Sequence, residues 1–582
     1  MLPSYNSGKT SPRTSRLRWR WGIIAVAAVL VVYVVAAGHQ HPKVQEFVSG
    51  ASSYFDYSQS RPELTGTSGK PVSSDPQLWA SRADQVKEAF KHALDGYLRY
   101  ADLQDELQPL TGGKINNFNG WSTTLLDSMS TMWLMDLKDD FEAALPVVAN
   151  LSFATTDKYV PFFETTIRCL GGLLSAYALS GEPMLLARAD DLGQALLPVF
   201  DTPSGLPMYG VNPSSGATKT GWAYNALWSE LTSCQLEYKY LAHLTGRTDY
   251  FDKSNYVMEL MRDEAASKDG LYATGWSIEK GTSSNQIYSV GAFADSGYEY
   301  FLKQYLLTGK SEEKIKDMYL KSIRTIINEL FYLSPTRNLL YVTDVSQKEK
   351  PSYKLEHLSC FLAGLLALGA HTLDLPDSDA QMHRWAAQGL AHTCYITYAD
   401  SVTGLGPDEV QFNLPQPENG NILEITSGRW VEAVDKWMKE GSPGGVPPGL
   451  VMAKPVKDGE KDYAPRSRRY HLRPETVESF YILWRTTGDE SWREKGWELF
   501  QAINKHARTE YGFASVNDVT DKTAPKLNEM PSYFLAETLK YLYLLFTDEE
   551  IIPLDEWVFN TEAHPLPVFK WHGWEKTAYS IP

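Results

Sequence analysis

Five apolar runs each open on a polar residue that could do chemistry and close on a glycine. Glu164 leads "ETTIRCLGGLLSAYALSG", Glu230 leads "ELTSCQLEYKYLAHLTG" and Asp295 leads "DSGYEYFLKQYLLTG". His357 leads "HLSCFLAGLLALG" and Glu475 leads "ETVESFYILWRTTG". A second charged group follows most of them: Arg168 four residues after Glu164, Glu237 seven after Glu230, Glu299 four after Asp295, Glu478 three after Glu475. These spacings bring two side chains to one face of a helix. A single Glu–Arg pair of this kind is ordinarily a surface salt bridge. Repeated acidic pairs on apolar helices are different, because like charges are costly together unless water, a metal or a ligand lies between them. If such faces share one axis, they line a cavity with many carboxylates, few aromatics and one or two arginines. That lining suits a polyhydroxylated substrate and an oxygen-loving cation.

The elements that must position these groups are helices, each stopped by a glycine just past its last apolar turn. The leading residues are evenly spaced: 66 residues from Glu164 to Glu230, 65 to Asp295, 62 to His357, and again 62 from Glu475 to Glu537. Only the step from His357 to Glu475, at 118, breaks the period. The surplus falls in 401–472, where "GLGPDEVQFNLPQPENGN" and "EGSPGGVPPGL" predict a long loop excursion. A period near 64 fits one antiparallel helix pair per repeat, stacked into a closed or superhelical all-α array.

The net charge of −16 argues against nucleic acid as a partner, and 43% hydrophobic residues give a core-rich globular body. Residues 1–21 carry Lys9, Arg13, Arg16, Arg18 and Arg20 without an acid, and 22–38 ("GIIAVAAVLVVYVVAAG") carry no charge. We read them as a cytoplasmic tail and an uncleaved single-pass transmembrane anchor, rather than a cleaved signal peptide. Residues 39–79 read as a Ser/Gly/Pro-rich stem and 80–582 as a luminal domain. The four cysteines fit no zinc spacing, and Cys169 and Cys234 fall on apolar faces as free core thiols. Asn150 heads the one sequon, Asn150-Leu151-Ser152.

"FFETTIRCLGGLLSAYALSG", "ADSGYEYFLKQY", "HLSCFLAGLLALGA", "LRPETVESFYILWRTTGD", "FLAETLKYLYLLF" and "VFNTEAHPLP" together resemble glycoside hydrolase family 47, the inverting, calcium-dependent α-1,2-mannosidases of N-glycan processing. The resemblance runs from about residue 85 to 570. It implies an (α/α)7 barrel with a C-terminal plug, and the trimming of high-mannose N-glycans in the endoplasmic reticulum or Golgi. It implies Glu164 as general acid, Glu475 as the catalytic-base position and Asp295 as a third essential carboxylate that holds or activates water. Inversion needs two carboxyls far enough apart to admit that water. Thr561 is implied as the direct Ca2+ ligand at the tip of the plug. Arg168, Glu230, Glu237, Glu299, His357, Arg473, Glu478, Tyr533, Glu537 and Glu562 are expected to bind substrate or the metal's waters. Cys360 and Cys394 take the places of the family's disulfide. The chain departs from the pattern at Phe293, where processing enzymes carry Arg or Leu, so strict single-mannose specificity is not expected. Asp408 stands where a binding Glu is usual, Ser130 stands where an Asp is usual, and Tyr533 replaces a stacking Phe.

Two other readings compete with an active enzyme. One is a degradation-enhancing mannosidase-like protein that marks misfolded glycoproteins, which shares "SYFLAETLKYLYLLF"-like segments. The other is a glycan-binding lectin without turnover, which the intact set Glu164, Asp295, Glu475 and Thr561 disfavours.

Overall fold

A computed structural model describes residues 73–101, 103–154, 158–221, 225–263, 266–346, 350–414 and 428–581. The expected tail (1–21), anchor (22–38) and all of the stem up to residue 72 lie outside the described residues. Among the described residues no helix is long and apolar enough to cross a membrane.

Fourteen helices alternate between two roles. We number them α1 (Pro76–Tyr100), α2 (Thr123–Leu134), α3 (Lys138–Asn150), α4 (Gly171–Ser180), α5 (Pro183–Leu196), α6 (Gln235–Thr245) and α7 (Thr248–Arg262). They continue as α8 (Asp295–Leu307), α9 (Glu313–Glu329), α10 (Phe361–Thr372), α11 (Asp377–Ala399), α12 (Glu475–Thr487), α13 (Ser491–His506) and α14 (Leu539–Phe546). The even-numbered helices are buried nearly all round, as α8 is from Ser296 to Leu307. The odd-numbered ones bury a single stripe. α9 hides Ile315, Met318, Tyr319, Ile323, Ile326 and Ile327, a spacing of three and four that leaves its charged face in water. Each of those side chains contributes about 1.5–3 kcal/mol by leaving water. Every even helix packs on the next, α2 on α4, α4 on α6 and so on to α14, and the π-helical turn Phe534–Thr538 before α14 returns to α2. Inner helices thus close a ring, and each outer helix lies against its inner partner.

Local signals set the ends of these helices. Asp75 caps α1 by accepting the Leu78 N–H at 3.1 Å, with Pro76 in the first turn. α12 stops at Gly488, whose φ of +70° admits the left-handed turn that a Cβ would strain. Where α10 meets α12, a Cβ on Gly364 would lie 3.1 Å from the Ser479 Cα. That close approach lets Ser479 accept the Gly364 N–H at 2.7 Å and donate to the Cys360 carbonyl at 2.6 Å.

The excursion after α11 is not loop throughout. Its strands β2 (Glu409–Phe412) and β3 (Tyr463–Ser467) join β1 (Lys354–Glu356), which precedes α10, in an antiparallel sheet ordered β1-β2-β3, and its amphipathic helix, Trp430–Lys439, packs on α9. Helical periodicity is blind to strands of three to five residues, which depend on pairing for their existence. A second hairpin, β4 (Trp557–Phe559) with β5 (Pro565–Pro567), carries "NTEAH" at its tip and inserts among α8 and α4.

Cys360 and Cys394 are bonded and tie α10 to α11, while Cys169 and Cys234 are buried free thiols. Asn150 ends α3 on the exposed surface, as a usable sequon requires.

Candidate active site

The hairpin tip is anchored by polar bonds inside an otherwise apolar ring. Asn560, fully buried, donates to the Ile167 carbonyl at 2.9 Å and to the Glu237 carboxylate at 2.7 Å. Its own carbonyl accepts the N–H groups of Glu562 at 3.0 Å and His564 at 2.8 Å. His564 reaches Asp127 on α2 at 3.0 Å and Ser130 at 3.1 Å. Lys540, buried on α14, donates to the Ala563 carbonyl at 2.6 Å. Four inner helices or their leading turns therefore hold one loop, and Thr561 is presented at its apex.

Above that apex lies a cavity of about 870 Å3 including its mouth. Seven carboxylates line it (Glu164, Asp295, Glu299, Glu475, Glu478, Glu537 and Glu562), with Arg168, Arg473, Tyr533 and Thr561. Eleven of the residues singled out in the sequence thus converge, although they are spread over nearly 400 positions. Arg168 sits on the π-helical turn Thr165–Leu170 that joins Glu164 to α4. Its Nε donates to Glu164 at 2.8 Å, and its Nη1 pairs with Glu562 and with Ser532, the latter at 3.2 Å. A single guanidinium thereby joins the expected acid to the plug. Its planar fork suits that bridging role better than a flexible ammonium would.

Glu475 opens α12, and His357 Nδ1 lies 2.8 Å from its Oε2 while His357 Nε2 faces the Tyr398 hydroxyl at 2.5 Å. Asp295 opens α8, and burial pushes its carboxyl up to about 8, with Glu299, Glu356 and Glu475 adding like charge. Burial also raises Glu478 to about 8 and Glu537 and Glu562 well above the usual carboxylate range. Lys303, buried on α8, pairs with Glu299 and lies 3.8 Å from Glu478, and these neighbours hold its ammonium charged despite burial. Crowded carboxylates in a partly dry site resist joint ionisation, and a dication among them would remove that conflict. The donors are all oxygen, the set that a hard cation such as Ca2+ takes and that soft metals do not.

Four expected residues do not line the cavity. Glu237 is spent on the plug, held by Asn560 and by the Tyr300 hydroxyl at 2.8 Å. Glu230 does not share a helical face with it, because the helix breaks at Ser233 and Cys234 and the seven-residue spacing loses its meaning. Burial raises Glu230 to about 7, with the nearby Glu164 adding to the shift. His357 stands behind Glu475, and Phe293 is 45% exposed beside Asp295. Of the departures from the family pattern, Asp408 accepts from Arg473 at 3.0 Å and Ser130 holds His564.

Asp127, Lys303, Lys540 and His564 were not singled out, and each is a buried polar group that the plug or the carboxylates need. A lone acid within the apolar run "LLDSMSTMWLM" was the available signal for Asp127.

Comparison with known proteins agrees with this geometry. The sequence model of glycosyl hydrolase family 47 matches residues 89–568. The chain is 36% identical over 502 residues to the mannosyl-oligosaccharide α-1,2-mannosidase IA of Spodoptera frugiperda, covering 85% of this chain and 68% of that one. It is 35% identical over 543 residues to the human mannosyl-oligosaccharide 1,2-α-mannosidase IC, covering 92% and 78%. Among solved structures, the α-1,2-mannosidase of Trichoderma reesei superposes with a TM-score of 0.73 at 28% identity, over 86% of this chain and all of that one. A ring of inner helices, a cavity of converging carboxylates and this sequence relationship coincide: the chain belongs to glycosyl hydrolase family 47 and is a glycosidase.

Proposed function

We propose that the protein is an inverting, calcium-dependent α-1,2-mannosidase that removes terminal α-1,2-linked mannose from high-mannose N-glycans. The observation that carries the reading is the pairing inside the cavity: Glu164 fastened to Arg168 on one side, and Glu475 backed by His357 on the other. In this reading the fourteen helices are an (α/α)7 barrel, closed at one end by the β4–β5 plug. Glu164 delivers a proton to the glycosidic oxygen as the anomeric C–O bond breaks. Glu475 takes the proton of the water that attacks the anomeric carbon from the opposite face, which inverts its configuration. His357 fixes the orientation of Glu475, and Asp295 holds the water or the sugar. Arg473 and the Tyr533 ring position the sugar, and a pyranose has an apolar face for such a ring. Glu299, Glu478, Glu537 and Glu562, with the Thr561 hydroxyl and carbonyl, would hold Ca2+ directly or through its waters. The ion would supply a fixed positive centre for sugar hydroxyls. The relatives' printed activities support the substrate, and the exposed sequon and the disulfide accord with a luminal endoplasmic-reticulum or Golgi location. Residues 22–38 would anchor the domain to that membrane.

The test is direct. Full-length protein incubated with a high-mannose N-glycan should release mannose, and NMR should show the β-anomer first. Release of the α-anomer would overturn inversion, and the absence of release in excess Ca2+ would overturn the enzyme in favour of a lectin.

A further inference from the structure

A second cluster of metal-ligating groups lies outside the cavity, where the chain after the plug returns to the ring. His243 is in the last turn of α6, and His572 and Glu575 belong to the short helix Gly573–Ala578 and its cap. One ligand atom from each lies within 4.8 Å of the others. His243 Nδ1 is 3.1 Å from both Glu575 oxygens. Tetrahedral bonds of about 2.0–2.1 Å set neighbouring ligand atoms roughly 3.3 Å apart, so this edge already has the required length.

The surroundings favour an ion here. The Glu575 side chain is fully buried, and both its oxygens already face the His243 ring nitrogen. The His572 N–H holds Glu575 Oε2 at 2.6 Å, an outer contact of the kind that orients metal-binding carboxylates. His243 is clamped between Phe569 and the His572 ring, with centroids 4.2 and 4.9 Å away, so its direction is set before any ion arrives, while the exposed His572 ring, stacked at 24°, would have to turn out of that stack to bring a nitrogen to the ion. His572 is exposed and leaves an entry path and a fourth position for water. Two imidazoles and one carboxylate suit a borderline first-row cation such as Zn2+, in contrast to the oxygen-only cavity.

We propose that His243, His572 and Glu575 form a structural site for Zn2+ or a similar first-row divalent ion, which pins the C-terminal segment to α6. Because β4 and β5 immediately precede this segment, the ion would also hold the plug in the ring. Without a metal, the same groups make only a capping box and a His–carboxylate hydrogen bond, the alternative that must be distinguished.

The full chain, saturated with Ca2+, is titrated with Zn2+ alone and followed by metal analysis after desalting and by hydrogen exchange of residues 568–581. About one equivalent should be retained, with exchange in that segment slowed at least roughly tenfold. His572→Ala, an exposed position that should fold normally, and Glu575→Gln should each lose the retained metal and the protection. Thr561→Val should keep both, which separates this site from the cavity. Retention equal in wild type and His572→Ala, or no retention in wild type, would overturn the site and leave the capping box as the whole function of these residues.

Discussion

Asn560 offers the sharpest test of the idea that the C-terminal hairpin is part of the active site. Replacing it by Ala deletes four hydrogen bonds at once: two donated to the Ile167 carbonyl and the Glu237 carboxylate, and two accepted from the Glu562 and His564 N–H groups. A neutral bond contributes about 0.5–1.5 kcal/mol and one to a charged group about 1.5–3. The four together come to roughly 4–6 kcal/mol, and the site is fully buried, so little water can replace them. Unfolding entropy of about 2.1 cal/mol/K per residue over roughly 500 residues is ~1 kcal/mol/K, so the melting temperature should fall by about 4–6 °C. If the loss is confined to the hairpin, its effect on Ca2+ is larger, since about 4 kcal/mol is close to three decades in affinity. Differential scanning calorimetry and Ca2+ titration of purified Asn560→Ala would measure both. Because Glu237 is one of the partners, Glu237→Gln combined with Asn560→Ala should cost less than the two changes summed. A variant within about 1 °C and threefold in Ca2+ affinity of wild type would show that the hairpin does not hold the site.

Glu164→Gln should fold normally and lose roughly 10²–10⁴-fold in kcat, the usual worth of proton transfer; a rate within threefold of wild type would sink its assignment as the acid. Asp295→Asn, assayed beside it, asks whether the carboxyl that burial holds protonated to about 8 shares that work. Chelation should abolish activity and lower the melting temperature reversibly, since a ligand at a thousandfold excess over Kd stabilises by about 4 kcal/mol. Thr561→Val should mimic it, and full activity in excess chelator would end the calcium reading. Burial lowers His383 and His392 from 6.5 to about 4, so between these values the unfolded chain binds more protons at these two sites and their own contribution to stability falls as pH drops from about 6.5 toward 4, a slope that the raised carboxyls of Asp295 and Glu478 oppose. His392→Gln should flatten that slope in urea titrations, and an unchanged slope would refute the buried-neutral assignment.

Much of this molecule was legible from the chain alone. The repeat near 64, four of its five glycine stops (α10 runs through Gly369 to Thr372) and the polar residues at the head of each apolar run come from local helix physics, which acts over a few neighbours. They announced stacked helix pairs, a carboxylate-lined centre if the stack closed, and the residues Glu164, Asp295 and Glu475 that now face it, while Thr561 was implied by the family resemblance alone. Periodicity assumes an unbroken helix, and that is why it misjudged Glu230 and Glu237 across the break at Ser233. Only the fold decided that Glu237 serves the plug, that Arg168 bridges Glu164 and Glu562, and that Asp127 on α2 waits for His564 some 437 residues later. No spacing rule links residues so far apart. Their pairing follows from burial, which leaves a polar group inside the ring no stable state except beside whichever partner the closed chain brings to it.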